Sequence, residues 1–355
     1  MKISIAKTYA SASKTREHFR FSNILASCVI TLAFGLSFLA CRGGEDEPNV
    51  PDSYCAYALD SVFVSNGDVY CVGSIAPIDP SDGHPSPNGA VAALWKNGSM
   101  EFMHDIPTSS MSSKMSGLFC ANGDVYAVGE EWSRYSDVHR TILWKNGVPQ
   151  YITHESGQYF SPASLFVSGS DVYVVGVVPA GPNNITACPA LWKNGECRLL
   201  NDGKHDAYPF SVFVSGDDVY VAGVEIEERI IDDHIDARRY GVIWKNGVAQ
   251  RLSEAGRESV AVSVYVSGDD VYVAGSMVGN KGDDVDAVLW KNGSQQLLER
   301  GDRSEGAGAS SVFVSGNDVY AAGQVYEYFG IGNDHPAIWK NGIKQALEVR
   351  PPKAQ

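Results

Sequence analysis

The sequence predicts an all-β chain folded as a six-bladed β-propeller with four antiparallel strands per blade, and three observations carry that prediction. The first is repetition. Ser61-Val62-Phe63-Val64-Ser65-Asn66-Gly67-Asp68-Val69-Tyr70-Cys71-Val72-Gly73 is followed by Ala93-Leu94-Trp95-Lys96-Asn97-Gly98, and the same pair of phrases recurs five more times. Trp95, Trp144, Trp192, Trp244, Trp290 and Trp339 mark the register, spaced by 49, 48, 52, 46 and 49 residues. The second is alternation of β-branched and aromatic residues with polar ones, and no stretch shows a convincing helical period. The third is regular punctuation by turn dipeptides. Four-stranded units of this length in tandem read as propeller blades.

Each repeat divides into four strands in order. The first is Ser-Val-Phe-Val-like, the second Asp-Val-Tyr-Val-Ala-Gly-like, the third Ala-x-Leu-Trp-Lys and the fourth Val-x-Gln-x-Leu-like. The first and second strands join at Asn66-Gly67, Asn122-Gly123, Gly169-Ser170, Gly216-Asp217, Gly268-Asp269 and Gly316-Asn317. These are the glycine placements of type I′ and type II′ hairpins, whose backbones need positive φ. The third and fourth strands join at Asn-Gly in all six repeats, from Asn97-Gly98 to Asn341-Gly342. In the first hairpin Val62, Val64, Val69 and Cys71 share one face while Phe63 and Tyr70 share the other. Closing six such sheets into a ring is expected to bury every face against a neighbour.

The six tryptophans are therefore read as interblade core. Each buries roughly 150–250 Å², an upper bound of about 4–6 kcal/mol at ~25 cal/mol/Å². The recurrent Asp68, Asp124, Asp171, Asp218, Asp270 and Asp318 admit two readings. A ring of them near one rim would hold a cation; capping the adjacent turn is the favoured role. The lysine beside each Asn-Gly reads as a solvated edge charge.

Residues 1–20 carry Lys2, Lys7, Lys14, Arg16 and Arg20 against Glu17, and an apolar run from Ile24 to Ala40 follows. A basic region ahead of an apolar one is the pattern of an export signal, to be set aside in fold reasoning. The run ends Ser37-Phe38-Leu39-Ala40-Cys41 and resembles a bacterial lipobox, with Phe38 standing where that family usually has Leu. The resemblance implies cleavage before Cys41 and lipidation of Cys41. Arg42-Gly43-Gly44-Glu45-Asp46-Glu47-Pro48 then reads as a flexible tether. Arg42 after the cysteine resembles lipoproteins sent to the outer membrane, and the acidic cluster resembles signals for surface display. The expected organisation is a signal peptide over 1–40 and a tether over 41–52, then a propeller over 53–350 and a tail over 351–355. Its repeats lie near 61–104, 117–154, 164–201, 211–253, 262–299 and 311–349. The phrases Val-Tyr-Val-Val-Gly and Leu-Trp resemble kelch-type blades without the kelch double glycine. Val-Phe-Val-Ser-Gly-Asp-Asp-Val-Tyr-Val-Ala-Gly is similar to the inner hairpin of NHL-type blades.

Charge narrows the partners. The 355 residues carry a formal net charge of -14. Residues 1–40 hold a net +4, so the remainder carries -18. An acidic body without a basic face argues against nucleic acid as partner. Attachment to a membrane is expected through the N-terminal lipid alone. Glycine, at 36 residues, is in excess because turns and strand ends in every repeat use it.

Strand direction then separates two rims. All first-to-second and third-to-fourth connections are tight turns on one rim. The second-to-third connections, within 74–90, 130–140, 177–189, 224–241, 276–287 and 324–336, are long, divergent and on the other. Binding residues concentrate on variable segments held by a rigid scaffold. Every histidine after residue 40 lies on that rim: His84, His104, His139, His154, His205, His234 and His335. The candidate ligand-binding residues are Trp132, Arg134, Tyr135, His139, Tyr208, Arg239, Tyr240, Tyr328 and His335. Trp132 leads because it is the one tryptophan outside the repeat pattern, and aromatics offer flat platforms to sugars or side chains. No His-x-His, His-Glu-x-x-His or Cys-x-x-Cys spacing occurs, so no metal site and no cofactor is expected.

Cys71 and Cys120 occupy repeat valine positions and read as buried apolar residues. Trp192 rather than Cys188 is expected opposite Cys197, so no obligatory disulfide is expected. No Gly-x-Ser-x-Gly elbow, phosphate loop, dinucleotide motif or sialidase Asp-box phrase occurs. The leading expectation is a lipid-anchored, monomeric cell-envelope module that binds a glycan or protein through its long-loop rim. A carbohydrate-active hydrolase or lyase would use carboxylates there, such as Glu130, Glu131, Glu225, Glu227, Asp232, Asp233 and Asp334. A structural part of an envelope complex is the third reading.

Overall fold

The computed structural model describes residues 54–347 apart from 79–83, 85–88, 104–110, 134, 137, 153–159, 181–185, 232–233, 254–256, 280–283, 301–303 and 328–333. The leader, Cys41, the tether and the tail lie outside the described residues, as do Arg134, Tyr328, Asp232 and Asp233. Every described element is a β-strand, and each repeat forms one blade. Blade 1 is β1 (Tyr54–Ser65), β2 (Asp68–Pro77), β3 (Val91–Lys96) and β4 (Ser99–Met103). Blade 2 is β5 (Met111–Ala121), β6 (Asp124–Ser133), β7 (His139–Lys145) and β8 (Val148–Ile152). Blade 3 is β9 (Ser161–Ser168), β10 (Asp171–Ala180), β11 (Thr186–Lys193) and β12 (Glu196–Leu199). Blade 4 is β13 (Ala207–Ser215), β14 (Asp218–Ile231), β15 (His234–Lys245) and β16 (Val248–Arg251). Blade 5 is β17 (Ser259–Ser267), β18 (Asp270–Val278), β19 (Val285–Lys291) and β20 (Ser294–Leu297). Blade 6 is β21 (Ser304–Ser315), β22 (Asp318–Glu327), β23 (Asp334–Lys340) and β24 (Ile343–Lys344).

Within each blade the strands pair antiparallel in chain order, and the first strands stand side by side at the centre. Blades 5 and 6 are further joined by a parallel contact of Val285 with Gly306. The turns follow the dipeptides. Asn66 and Gly67 adopt φ of 53° and 87°, as a type I′ turn requires, whereas Gly169 alone is positive in its turn at 60°. A second glycine class, such as Gly223, sits where β14 passes the bulge in β13. A Cβ there would press into the Tyr208 carbonyl and lie 2.8 Å from Trp244 Cζ3.

The two faces of each hairpin become the two sides of an interblade core. Tyr126, Val128 and Leu143 of blade 2 pack on Leu165, Val167, Val174 and Trp192 of blade 3. Tyr173, Val175 and Leu191 meet Val212, Val214 and Trp244, and the same pattern joins blade 1 to 2, 4 to 5 and 5 to 6. An aromatic ladder runs through the central strands from Phe63 to Phe119, Phe166, Phe213, Tyr265 and Phe313, with centroids 4.6–5.1 Å apart.

Closure departs from expectation. Five tryptophans are interblade core, but Trp95 is half-buried and packs against a cluster of blade 1 residues, Ile75, Val91, Ala93 and Met100, beside Tyr54. Val62, Val64, Phe313 and Ile338 are exposed, so the outer faces of blades 1 and 6 do not cover each other. Cys71, on the open face of blade 1, is half-buried rather than buried; Cys120, next to the strand end, is half-buried too. The register places Trp192 opposite Cys197, as read.

The tight-turn rim carries a network that corrects the reading of its lysines. Asp68 accepts from Asn97 Nδ2 at 2.9 Å and pairs with Lys96 at 2.9 Å, while Asn97 Oδ1 accepts from the Val69 N–H. All six blades repeat this clamp, with Asp–Asn distances of 2.7–3.0 Å and Asp–Lys distances of 2.7–2.9 Å. Each lysine also lies 4.9–5.6 Å over the ring of its blade's tyrosine. Each Asp therefore ties its own turn to the third-to-fourth turn, and the lysine is a partner rather than a free edge charge.

Candidate functional site

The opposite rim is less loop-like than expected. In blade 4 the whole of 224–241 except its tip is paired strand, from Val224↔Gly241 to Ile231↔His234. β14 accordingly runs 14 residues, against 10 in β10 and 9 in β18. In blade 2, β6 and β7 likewise extend to Trp132↔His139.

The blade 2 extension builds a polar site on top of an apolar interface. Residues 126, 128, 130 and 132 share the face of β6 that looks at blade 3, because side chains alternate along a strand. Tyr126 and Val128 belong to the core between those blades. Glu130 continues that face and is itself 4% exposed. Burying a carboxylate costs several kcal/mol unless partners replace its water (order of magnitude ~3–5 when a partner is lost). Glu130 has three partners. Lys114, opposite it on β5, lies 2.8 Å away; His139 Nε2 on β7 lies 2.6 Å away; Ser161 Oγ of blade 3 donates at 3.4 Å. The adjacent Thr141 hydroxyl donates to the Phe160 carbonyl, joining the blades at the same level. Glu131 points the other way and pairs with Arg140 at 3.3 Å.

Above this network Lys114, Glu130, Trp132, Ser133, Ser136, Val138 and His139 line an open cleft of ≈ 550 Å³. Trp132 is half-buried, its ring centroid 6.4 Å from that of His139 at an interplanar angle of 55°. The arrangement offers an aromatic plane with a cation, an imidazole and a held carboxylate at its edge.

Of the residues predicted from sequence, the fold brings Trp132 and His139 together. Tyr135 lies on the connecting turn, 80% exposed, its N–H donating to Ser133 Oγ at 3.2 Å. Among the described candidates, Tyr208, Arg239, Tyr240 and His335 do not line this cleft. Tyr208 on β13 is half-buried, and burial, aided by Asp206, pushes its phenol above the usual range. Tyr240 is 4% exposed beneath the Arg251 guanidinium, 4.2 Å from the ring centroid, which makes it packing rather than a platform. Arg251 also pairs with Glu225 and Glu227, so those acids are tied within the blade. Arg239 is half-buried on β15, where its N–H faces Glu258 at 3.4 Å. His335 is exposed on β23 of blade 6. Asp334 lies at the start of the same strand.

Sequence reasoning missed Lys114 and the special place of Glu130. The signal was present: the residue after the strand-end glycine is Ser74, Glu130, Val177, Val224, Ser276 and Gln324 in the six repeats. Only blade 2 puts a charge there.

The chain matches no family model, and no curated protein matches it. Solved structures with a similar chain path include a subtype N11 neuraminidase-like protein of A/flat-faced bat/Peru/033/2010 (H18N11). It is 10% identical, covers 84% of this chain and 91% of its own, and superposes with a TM-score of 0.46. Polysaccharide lyase Uly1 is 11% identical over 79% of this chain and 76% of its own, with a TM-score of 0.45. The β-propeller domain of the Trilobed protease from Pyrococcus furiosus is 10% identical over 82% and 95%, with a TM-score of 0.41. Likeness at this level carries no functional argument. The six antiparallel four-stranded blades, the last two merged into one sheet, themselves define the class as a β-propeller.

Proposed function

We propose that the protein is a lipid-anchored binding module of the cell envelope that takes a glycan on its long-connection rim, at the blade 2 cleft. The observation that carries this reading is the half-buried Trp132 ring beside the Lys114–Glu130–His139 network. A sugar ring stacks its C–H face on an indole while its hydroxyls exchange hydrogen bonds with neighbouring charged groups. Ion pairing and hydrogen bonds within the network already hold these side chains in place, so little side-chain ordering is expected on binding. Attachment through lipidated Cys41, outer-membrane residence and a kelch- or NHL-like blade ancestry complete the proposal, and rest on the sequence resemblances alone.

Binding rather than turnover is favoured by how the acids are held. Glu130 and Glu131 point to opposite faces of β6, and Glu225 and Glu227 share Arg251. Neither pair flanks one bond as glycoside hydrolysis requires. A glycan array and polysaccharide pull-down with residues 48–355, with assay for released products, tests the reading. Binding without turnover that Trp132→Ala abolishes supports it. Released products favour the hydrolase or lyase, and capture of envelope proteins with no glycan binding favours a structural role. Loss of membrane attachment in Cys41→Ala is expected for the lipoprotein.

A further inference from the structure

The polar groups that line the blade 2 cleft are set to donate hydrogen bonds rather than to accept them. Lys114 carries three N–H donors, and its side chain is 49% exposed. One donor goes to Glu130 Oε1 at 2.8 Å, which leaves two. Ser133 Oγ accepts from the Tyr135 and Ser136 N–H groups, each at 3.2 Å. With both lone pairs engaged, its hydroxyl can only donate further. The Trp132 indole N–H donates and has no acceptor of its own to offer. Ser136, exposed on the turn, adds a hydroxyl of either kind.

The acceptors are already taken. Glu130, the one carboxylate lining the cleft, is 4% exposed and engaged at both oxygens. Oε1 holds Lys114, while Oε2 faces His139 Nε2 and receives the Ser161 hydroxyl. The Val138 carbonyl accepts from the Ser133 N–H at 2.9 Å. A neutral sugar hydroxyl brings a proton with every lone pair, and here that proton meets donors. A carboxylate or sulfate only accepts, and its bonds to a charged N–H are roughly twice as strong as neutral ones.

We infer that the cleft selects an acidic glycan over a neutral one: the sugar stacks on Trp132 while its carboxylate or sulfate meets Lys114 and the neighbouring donors. The inference rests on the glycan reading of this cleft and names the kind of glycan. Selection acts at contact, because the lysine's charge is shared with Glu130 and also reaches Asp60 on β1. The chain's formal net charge of -14 opposes non-specific adsorption of a polyanion, so retention reports the local donors.

The test is affinity electrophoresis and calorimetry of the full chain in detergent against matched polymers. Polygalacturonate is paired with its carboxyl-reduced form, and a sulfated galactan with its desulfated form. At least one acidic polymer is expected to bind about tenfold or more tightly than its neutral partner, the worth of one charge-assisted hydrogen bond. Which of the two shows the preference identifies the anion. Lys114→Met is expected to remove the preference, Lys114→Arg to keep it, and Trp132→Ala to abolish binding. The polymer comparison is made on the wild type, so it does not depend on how the variants fold. Equal binding of acidic and neutral polymers, lost in Trp132→Ala, overturns the inference and leaves the glycan reading standing. Acidic binding that survives Trp132→Ala places the anion elsewhere and overturns it too. Capture of no polymer overturns both.

Discussion

Oε2 of Glu130 lies 2.6 Å from Nε2 of His139, at a strand position where the other five blades carry Ser, Val or Gln. The carboxylate sits in the seam between two blades, so its partners hold structure as well as shape the cleft. Replacing Lys114 with Met leaves the buried carboxylate one partner short. Because Lys114 is itself half exposed, the expected cost is at the low end of about 1–3 kcal/mol. Urea unfolding checks it. The double variant with Glu130→Gln is expected to lose less than the sum of the two single changes.

The tryptophans make a matched pair of tests. Trp244 is fully buried between blades 3 and 4, so Trp244→Ala is expected to cost about 3–5 kcal/mol. Trp95 lies on an uncovered face and is expected to cost clearly less, about half as much or below by the same area argument. Thermal denaturation of both variants at low protein concentration gives the comparison. Equal losses would mean that blade 1 has a partner on that face.

Glycine has two separable roles. At Gly223 an added Cβ meets the Tyr208 carbonyl and the Trp244 ring, and Ala is expected to cost on the order of 4 kcal/mol or prevent folding. At Gly247, φ is 85° and nothing lies within 4 Å of an added Cβ. There Ala meets only backbone strain, about 1 kcal/mol. Expression yield and melting temperature distinguish the two.

The six rim clamps set an acid limit. Hydrogen bonds from lysine and then asparagine hold Asp124, Asp171, Asp218, Asp270 and Asp318 below the usual carboxylate range, and Asn97 followed by Lys96 does the same at Asp68. A carboxylate whose folded pKa is depressed stabilises fully above its unfolded value of about 4, and that stability is lost as pH falls through the folded value. The melting temperature is therefore expected to drop below about pH 4. Replacing several of these Asp residues with Asn is expected to flatten the drop, in a melting series over pH.

Much of this fold is legible because the information is local and repeated. The Asn-Gly turns, the alternation around Phe63 and Tyr70, and the tryptophan spacing each specify one blade and one interface, six times over. Closure is different in kind: it depends on the sum of small rotations at five interfaces, and no single residue encodes it. The Asp–Lys clamp was hidden because it needs the register of β2 on β3, which sets Lys96 opposite Tyr70 and so beside Asp68. The blade 4 hairpin was read as a loop although Val224-Glu225-Ile226-Glu227 alternates, because its charges resembled a solvated connection. Trp132 stood out by composition. Glu130 did so only by its place in the repeat, and Tyr240 was misread because an aromatic on a variable segment says nothing of the arginine that will cover it.

The central claim is that ligand binds at the blade 2 cleft, and hydrogen–deuterium exchange with and without a captured polysaccharide locates the site directly. Protection confined to Glu130–Ser133 and Val138–Thr141, absent in Trp132→Ala, is the predicted result. Protection confined to the blade 4 hairpin over 224–241, with blade 2 unchanged, would contradict it.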